Sequence, residues 1–110
     1  MSDFKGKVKK ANTDKTNHDE FETIVVIQGD VNNEVEEVKV TYPAWTDPNP
    51  VPVNCQYSYA QGGDRYFKDG GLSLGADVIG QSVTLEIEMI DTNGNVIGTG
   101  TATVIVADAI

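Results

Sequence analysis

Residues 81–106 read QSVTLEIEMIDTNGNVIGTGTATVIV, and this stretch decides the fold class of the chain. In its first half, apolar residues alternate with mostly polar ones; the apolar set is Val83, Leu85, Ile87 and Met89. In its second half the apolar set is Ala102, Val104 and Val106. A period of two with one apolar face predicts a half-buried pair of antiparallel strands. The intervening Asn93–Gly94 predicts a type I′ turn, which needs positive φ at both central residues.

Upstream of this hairpin, the same alternation predicts further strands. A polar loop is expected at residues 12–20, after the first strand, which we place at a sheet edge. The continuous apolar run Ile24–Ile27 indicates a strand buried on both faces, and hence a central one. The predicted strand at residues 65–74 is expected to break at Gly70–Gly71. The predicted strands lie at residues 3–10, 21–28, 35–42, 53–60 and 65–74.

All four prolines fall between Pro43 and Pro52. Proline lacks the amide hydrogen that a strand ladder requires, so this stretch is not expected to form an interior strand. It is predicted to be a stiff, extended connection that carries the only tryptophan, Trp45.

About seven short strands in 110 residues, with turn signals between them, are typical of an all-β fold. The specific expectation is an immunoglobulin-like antiparallel β-sandwich of about seven strands. We expect residues 1–110 to form a single domain, in which residues 1–20 contribute a basic edge strand plus a polar loop.

Residues 84–106, TLEIEMIDTNGNVIGTGTATVIV, resemble the last two strands of bacterial and phage immunoglobulin-like modules. In those modules an alternating strand runs into Asp-x-x-Gly-Asn, and a terminal strand rich in threonine and valine follows. The disulfide of antibody domains is absent, because the chain has one cysteine. The resemblance implies an adhesive or decorative module of the kind displayed on cell surfaces and phage particles, and no enzyme.

The charge of the chain is uneven. The net charge is −9, yet residues 1–15 hold five lysines against two aspartates. The acidic balance argues against nucleic acid as a partner, because phosphates repel it. The lysines of the first strand either protect a sheet edge or bind an acidic partner surface, such as that of a neighbouring copy. The candidate partner-binding residues are Lys5, Lys7, Lys9 and Lys10.

The aromatic residues form a second candidate site. Trp45 on a stiffened loop is pre-organised for binding, and nearby tyrosines would extend an aromatic surface suited to a surface glycan or a protein. The alternative is that Trp45 folds back and caps one end of the sandwich. The candidate ligand-binding residues are Trp45, Tyr42, Tyr57 and Tyr59.

No catalytic, metal or cofactor site is predicted. His18 is the only histidine and Cys55 the only cysteine, so neither a nucleophile–base pair nor a zinc site is indicated. Residues 91–95 have oxygen-bearing side chains at alternate positions, like the start of a calcium-binding loop. A hairpin turn explains the same residues, so no calcium site is predicted there.

The functional expectation is a non-enzymatic structural or display module of a larger assembly. A phage virion is the expected setting, as a capsid decoration or tail accessory protein whose partner is a capsid or tail protein or a neighbouring copy. The protein is then located in the virion, or in the host cytoplasm before assembly, since the sequence has neither a signal peptide nor a membrane-inserting segment. The alternative is a carbohydrate- or cell-surface-binding module centred on Trp45.

Overall fold

Within the described residues, the regular structure consists of eight strands and one short 3₁₀ helix (Ala76–Val78). The computed structural model describes residues 6–15, 20–30, 33–43, 50–73 and 76–108. The strands are β1 (Lys7–Lys15), β2 (Glu20–Gln28), β3 (Glu37–Tyr42), β4 (Val51–Gln61), β5 (Asp64–Ser73), β6 (Ser82–Ile90), β7 (Val96–Ile105) and β8 (Ala107–Asp108).

The eight strands form one sheet in the order β7-β6-β3-β4-β5-β2-β1-β8. All neighbours are antiparallel except β1 and β8. Because β8 follows β7 after Val106 and pairs with β1, the chain leaves one end of the sheet and reaches the other. The sheet therefore curls into a half-barrel. The all-β prediction is confirmed, whereas the described strands do not divide into the two separate sheets expected of the sandwich.

The β6–β7 hairpin is confirmed in position. Val83 pairs with Val104 and Leu85 with Ala102. The alternating apolar residues of β6 are all buried, while Thr101 and Thr103 of β7 face solvent. One face of the pair thus closes the core, as the alternation predicted.

The turn of that hairpin differs from the prediction. Among the described non-glycine residues only Asn33 has a positive φ, so Asn93 does not and the turn is not type I′. Instead, the Gly94 amide donates to the Asp91 carbonyl at 3.1 Å, and Gly94 alone takes a positive φ of 80°. The longer loop includes Asn95, whose carbonyl accepts from the Asp91 amide.

Two consecutive residues with positive φ occur at the β4–β5 turn. Gly62 and Gly63 have φ values of 61° and 84°, and they connect the paired Gln61 and Asp64. This is the geometry of a two-residue type I′ hairpin, for which Gly-Gly is well suited.

Strand β1 runs further than predicted. Residues 12–15 continue the strand instead of beginning a polar loop, because Thr13 points into the core and is fully buried. Lys9 is an extra residue in the pairing with β2, and the resulting bulge interrupts the alternation of the lysines. Only Asp14 and Lys15 pair with β8, so the described part of the chain provides no ladder partner for the preceding residues on that side.

Two other breaks predicted from the sequence do not occur. Pro52 lies within β4, paired with Thr41, although β4 is an interior strand. It is the second residue of the strand and exposed, and proline is tolerated at such an end. Strand β5 continues through Gly70–Gly71, which form a bulge opposite β2.

The core fills the inside of the curl with side chains from the seven longer strands. Tyr42, on β3, is its largest fully buried side chain. The Tyr42 hydroxyl is hydrogen-bonded to the hydroxyls of Thr13 on β1 and Thr23 on β2, the latter at 2.6 Å. This contact crosses the interior and joins strands that are far apart in the sheet order.

Candidate functional site

The main candidate site lies on the outer face of β1, β2, β5 and β4. Cross-strand pairing places Lys10 beside Val26, Val26 beside Tyr66, and Tyr66 beside Tyr59. A groove of about 290 Å³ runs along this row and the next one. We call it the aromatic groove, and its residues are Lys10, Asn12, Asp14, Ile24, Val26, Tyr59, Tyr66 and Lys68.

The floor of the aromatic groove comes from the apolar run of β2. Val25 and Ile27 point into the core, so Ile24 and Val26 point outward. Val26 is nevertheless only 5% exposed. The prediction that β2 is central and buried on both faces is therefore confirmed for its apolar centre, and the outward residues provide an apolar base for the groove.

A bulge in β4 determines which tyrosine reaches the groove. Tyr57 pairs with Phe67 while Tyr59 pairs with Tyr66, which leaves Ser58 as an extra residue. Simple alternation along β4 predicts that Tyr57 and Tyr59 share one side of the strand. This prediction is wrong, because the extra residue moves Tyr59 to the opposite face.

The two tyrosines of the groove are stacked. The ring centroids of Tyr59 and Tyr66 are 4.3 Å apart and their planes differ by 8°. The Lys68 ammonium lies 5.3 Å from the Tyr59 ring centroid, within the range of a cation–π contact. Tyr59 remains 40% exposed, so the stacked pair is open to solvent at the surface.

The charged groups of the groove are mixed, with a cationic excess. Lys10 and Lys68 contribute two positive charges and Asp14 one negative charge. The Asn12 side-chain amide donates to Asp14 at 2.8 Å, which holds that carboxylate in place. This local balance is opposite in sign to the net charge of the chain, −9.

The predicted lysines have different surroundings. The Lys9 ammonium contacts the Asp64 carboxylate at 2.9 Å, and this hydrogen bond raises the pKa of Lys9. Lys9 is therefore already paired within the chain. Lys7 is exposed and Lys10 lines the groove, whereas Lys5 lies outside the described residues.

The predicted aromatic residues do not form one surface. Tyr42 is 1% exposed and belongs to the core, where burial raises the pKa of its hydroxyl. Tyr57 is 48% exposed but stands on the inner side, edge-on to Phe67 and under the Arg65 guanidinium. Trp45 lies outside the described residues. Of the predicted aromatic residues that the structure describes, only Tyr59 lies in the groove, together with Lys10.

A buried ion pair was missed by the sequence analysis. Asp30 contacts Arg65 and accepts hydrogen bonds from the amides of Glu34 and Val35, while Arg65 also donates to the Val35 carbonyl at 2.7 Å. The residues concerned are distant in sequence, and no local pattern indicates their pairing. These contacts hold the loop before β3 against the end of β5, so the pair has a structural role.

Sequence reasoning also missed Tyr66 and Lys68 as site residues. They alternate with the inward Phe67 on β5, which identifies them as outward residues. Tyr66 and Lys68 could have been found from the outward apolar residues Ile24 and Val26 of β2. Apolar residues on an outward face are normally covered by side chains of the neighbouring strands.

The described residues offer no support for catalysis by Cys55. Burial raises the pKa of its thiol to about 12, so the side chain is protonated at neutral pH and packed in the core. In the part of the chain that the structure describes, no three histidine, cysteine, aspartate or glutamate side chains are grouped as metal ligands. The Asp91 carboxylate accepts from the Asn93 and Asn95 amides, as expected of a turn. His18 lies outside the described residues.

Comparisons with protein-family models, with curated proteins and with solved structures found no match. Within the described ranges, no helix has the length and apolar character needed to cross a membrane.

Proposed function

We propose that this protein is a non-enzymatic structural or display module of a larger assembly, with a phage virion as its setting. The observation that carries the proposal is the aromatic groove, an apolar and lysine-bearing strip on a sheet face that would otherwise be polar. Strips of this kind are typical of recognition surfaces. The immunoglobulin-like relationship of the β6–β7 hairpin is part of the same proposal.

The contact with the assembly is proposed to involve the basic part of β1. Lys7 and Lys10 are exposed, and an acidic partner surface would pair with them. Lys9 contributes less, because its ammonium is already bound to Asp64. The partner is a capsid or tail protein or a neighbouring copy, and such a contact weakens as salt screens it.

The proposal is tested by the location of the protein at its native expression level. A tagged chain is followed through density-gradient separation of phage particles, and we expect it to band with the particles. The double variant Lys7→Glu/Lys10→Glu is expected to shift it at least about tenfold toward the soluble fraction, as a loss of about 1.4 kcal/mol of binding would.

Lys39→Glu is the control, since Lys39 is a half-buried lysine on β3, away from β1. It is expected to leave the banding unchanged. A wild-type chain found only in the soluble fraction would overturn the virion proposal, whereas banding that survives the double variant would remove β1 as the contact.

A second candidate function is carbohydrate binding, with the groove in place of the loop around Trp45 as its centre. The stacked pair Tyr59–Tyr66 favours it, because aromatic faces receive the apolar faces of sugar rings. A glycan array tests this candidate: binding that is lost in Tyr59→Ala, with an unchanged circular dichroism spectrum, supports it. An array without any signal contradicts it.

A further inference from the structure

The aromatic groove combines three features that together select a class of ligand. Its row of paired residues crosses four strands, from Lys10 through Val26 and Tyr66 to Tyr59. With strands about 4.8 Å apart, this row is roughly 14 Å long. The volume of about 290 Å³ lies at the lower end of small-molecule sites, so the ligand is short.

The walls of the groove combine apolar and hydrogen-bonding groups. Tyr59, Tyr66 and the floor residue Val26 provide apolar contact. Asn12 and Asp14 stand at the β1 side with an amide and a carboxylate, groups that pair with hydroxyls as donor and acceptor. A flat ligand with one apolar face and a rim of hydroxyl groups matches this arrangement, and a pyranose ring is such a ligand.

The charges of the groove favour an anionic ligand. Lys10 and Lys68 exceed Asp14 by one positive charge, in a chain whose net charge is −9. A cationic strip in an acidic protein attracts anions locally, while the acidic remainder repels them elsewhere. Neither of these two lysines is among the described ion pairs, whereas Lys9 beside them is bound to Asp64.

From these observations we propose that the aromatic groove binds an anionic saccharide, with a sugar ring against Tyr59 and Tyr66 and its carboxylate facing the ammonium groups of Lys10 and Lys68. The proposal rests on the carbohydrate candidate above and specifies its ligand class. An acidic sugar makes apolar contact with the stacked rings, its hydroxyl groups hydrogen-bond to the Asn12–Asp14 pair, and its carboxylate pairs with the lysines. An acidic peptide would satisfy only the lysines.

Calorimetric titration of the full chain tests the proposal with a tetrasaccharide that contains glucuronic acid and with its carboxyl-reduced, neutral counterpart. We expect the acidic form to bind at least about tenfold more tightly at low salt, and this preference to shrink at high salt. Lys10→Gln/Lys68→Gln is expected to abolish the preference for the acidic form. Tyr59→Leu is expected to lower the affinity for both forms.

Control variants on other surfaces are expected to leave both affinities unchanged. They are Lys39→Gln, on the outer face of β3, and Tyr57→Leu, which removes an exposed ring from the inner side. Each variant is accepted only if its thermal unfolding resembles that of the wild type.

The outcomes separate this inference from the candidate function on which it rests. Equal binding of the acidic and neutral forms overturns the inference and leaves carbohydrate binding standing. Absence of binding to both overturns the inference and the carbohydrate candidate together, without bearing on association with particles. Binding of poly-glutamate as tight as that of the acidic sugar also overturns the inference, because charge alone would then explain it.

Discussion

The outer face of the sheet has two halves with different chemistry. The half formed by β1, β2, β5 and β4 carries the aromatic groove. In the half formed by β3, β6 and β7, residues alternate regularly from Ser82 to Met89 of β6, and the outward residues are mostly threonine, glutamate and lysine, apart from the exposed Ile105. There the Thr84 and Thr103 hydroxyls are 2.9 Å apart, and Lys39 lies 3.8 Å from Glu88. We call this second region the threonine–glutamate half.

The comparison shows that composition, and not size, distinguishes the candidate site. The threonine–glutamate half has the larger depression, about 420 Å³, but Glu86 and Glu88 line it, and none of the described aromatic side chains does. Acidic and hydroxyl side chains on a regular strand pair are what a solvated sheet face requires. The groove half departs from this rule, because the outward residues Ile24 and Val26 of β2 are apolar and the neighbouring strands partly cover them.

The largest expected difference between the halves is in the effect of an added lysine on stability. Val26→Lys is expected to lower the free energy of unfolding by about 2 kcal/mol, because Val26 is 5% exposed and sits among other lysines. Thr101→Lys is its matched control on the other half and is expected to change stability by less than about 0.5 kcal/mol. Urea unfolding measures both.

Thr101 faces Glu86 across the β6–β7 pair, so the new lysine there meets an opposite charge. If the two variants were equally stable, the outer side of β2 would be an ordinary solvated surface and the distinction between the halves would be lost.

A smaller effect is expected where the two halves meet inside the curl. Tyr42 of β3 is hydrogen-bonded to Thr13 and Thr23 of the groove half. Tyr42→Phe removes the hydroxyl that these two buried groups share, and we expect a loss of about 1–2 kcal/mol of stability. Tyr57→Phe makes the same chemical change on an exposed ring and is expected to have almost no effect.

Thermal or urea unfolding of these two variants measures their stabilities. A loss seen only in Tyr42→Phe is due to the buried contact between the halves, and not to the removal of a tyrosine hydroxyl in general. Equal stabilities of Tyr42→Phe and Tyr57→Phe would show that the interior contact does not hold the halves together.

The smallest effect is expected from deletion of Ser58. Because Ser58 is the extra residue of the bulge, its removal leaves Tyr57 paired with Phe67 and Tyr59 paired with Tyr66. We expect stability to change by less than about 1 kcal/mol, within the usual range for a substitution outside the core. Nuclear Overhauser contacts between the two groove rings are expected to persist.

Ring contacts that are absent from the wild type and present only in the deletion variant would contradict the assigned bulge. This result would mean that Tyr59 shares the side of Tyr57 in the wild type, as simple alternation implies, and the groove would then lack one of its stacked rings.

Several parts of the fold could be predicted because they depend on neighbours along the chain. The β6–β7 pair follows from a period of two, and the central position of β2 follows from its run of apolar residues. The same period of two in β3 puts Val38, Val40 and Tyr42 on one face, and all three are buried. Prediction failed where an extra residue entered a strand, at Lys9 and Ser58, since a bulge depends on the partner strand.

The candidate site was predictable only in part. Lys10 and Tyr59 were singled out on composition, yet for different sites, and their meeting depends on four strands pairing in one register. Tyr66 and Lys68 looked like ordinary polar-side residues of a strand. Tyr42 was grouped with the candidate binding residues, but hydroxyl partners from distant strands allow this tyrosine to be buried whole in the core.

The sequence by itself determined the all-β class, the closing hairpin and the apolar, two-faced character of β2, because alternation is a local property that a strand converts directly into faces. The curl into one sheet, the crossing contact of Tyr42 and the face on which Tyr59 stands were decided only by the tertiary structure. Each depends on cross-strand register and on bulges, and these are set by pairing between segments that the chain order keeps apart.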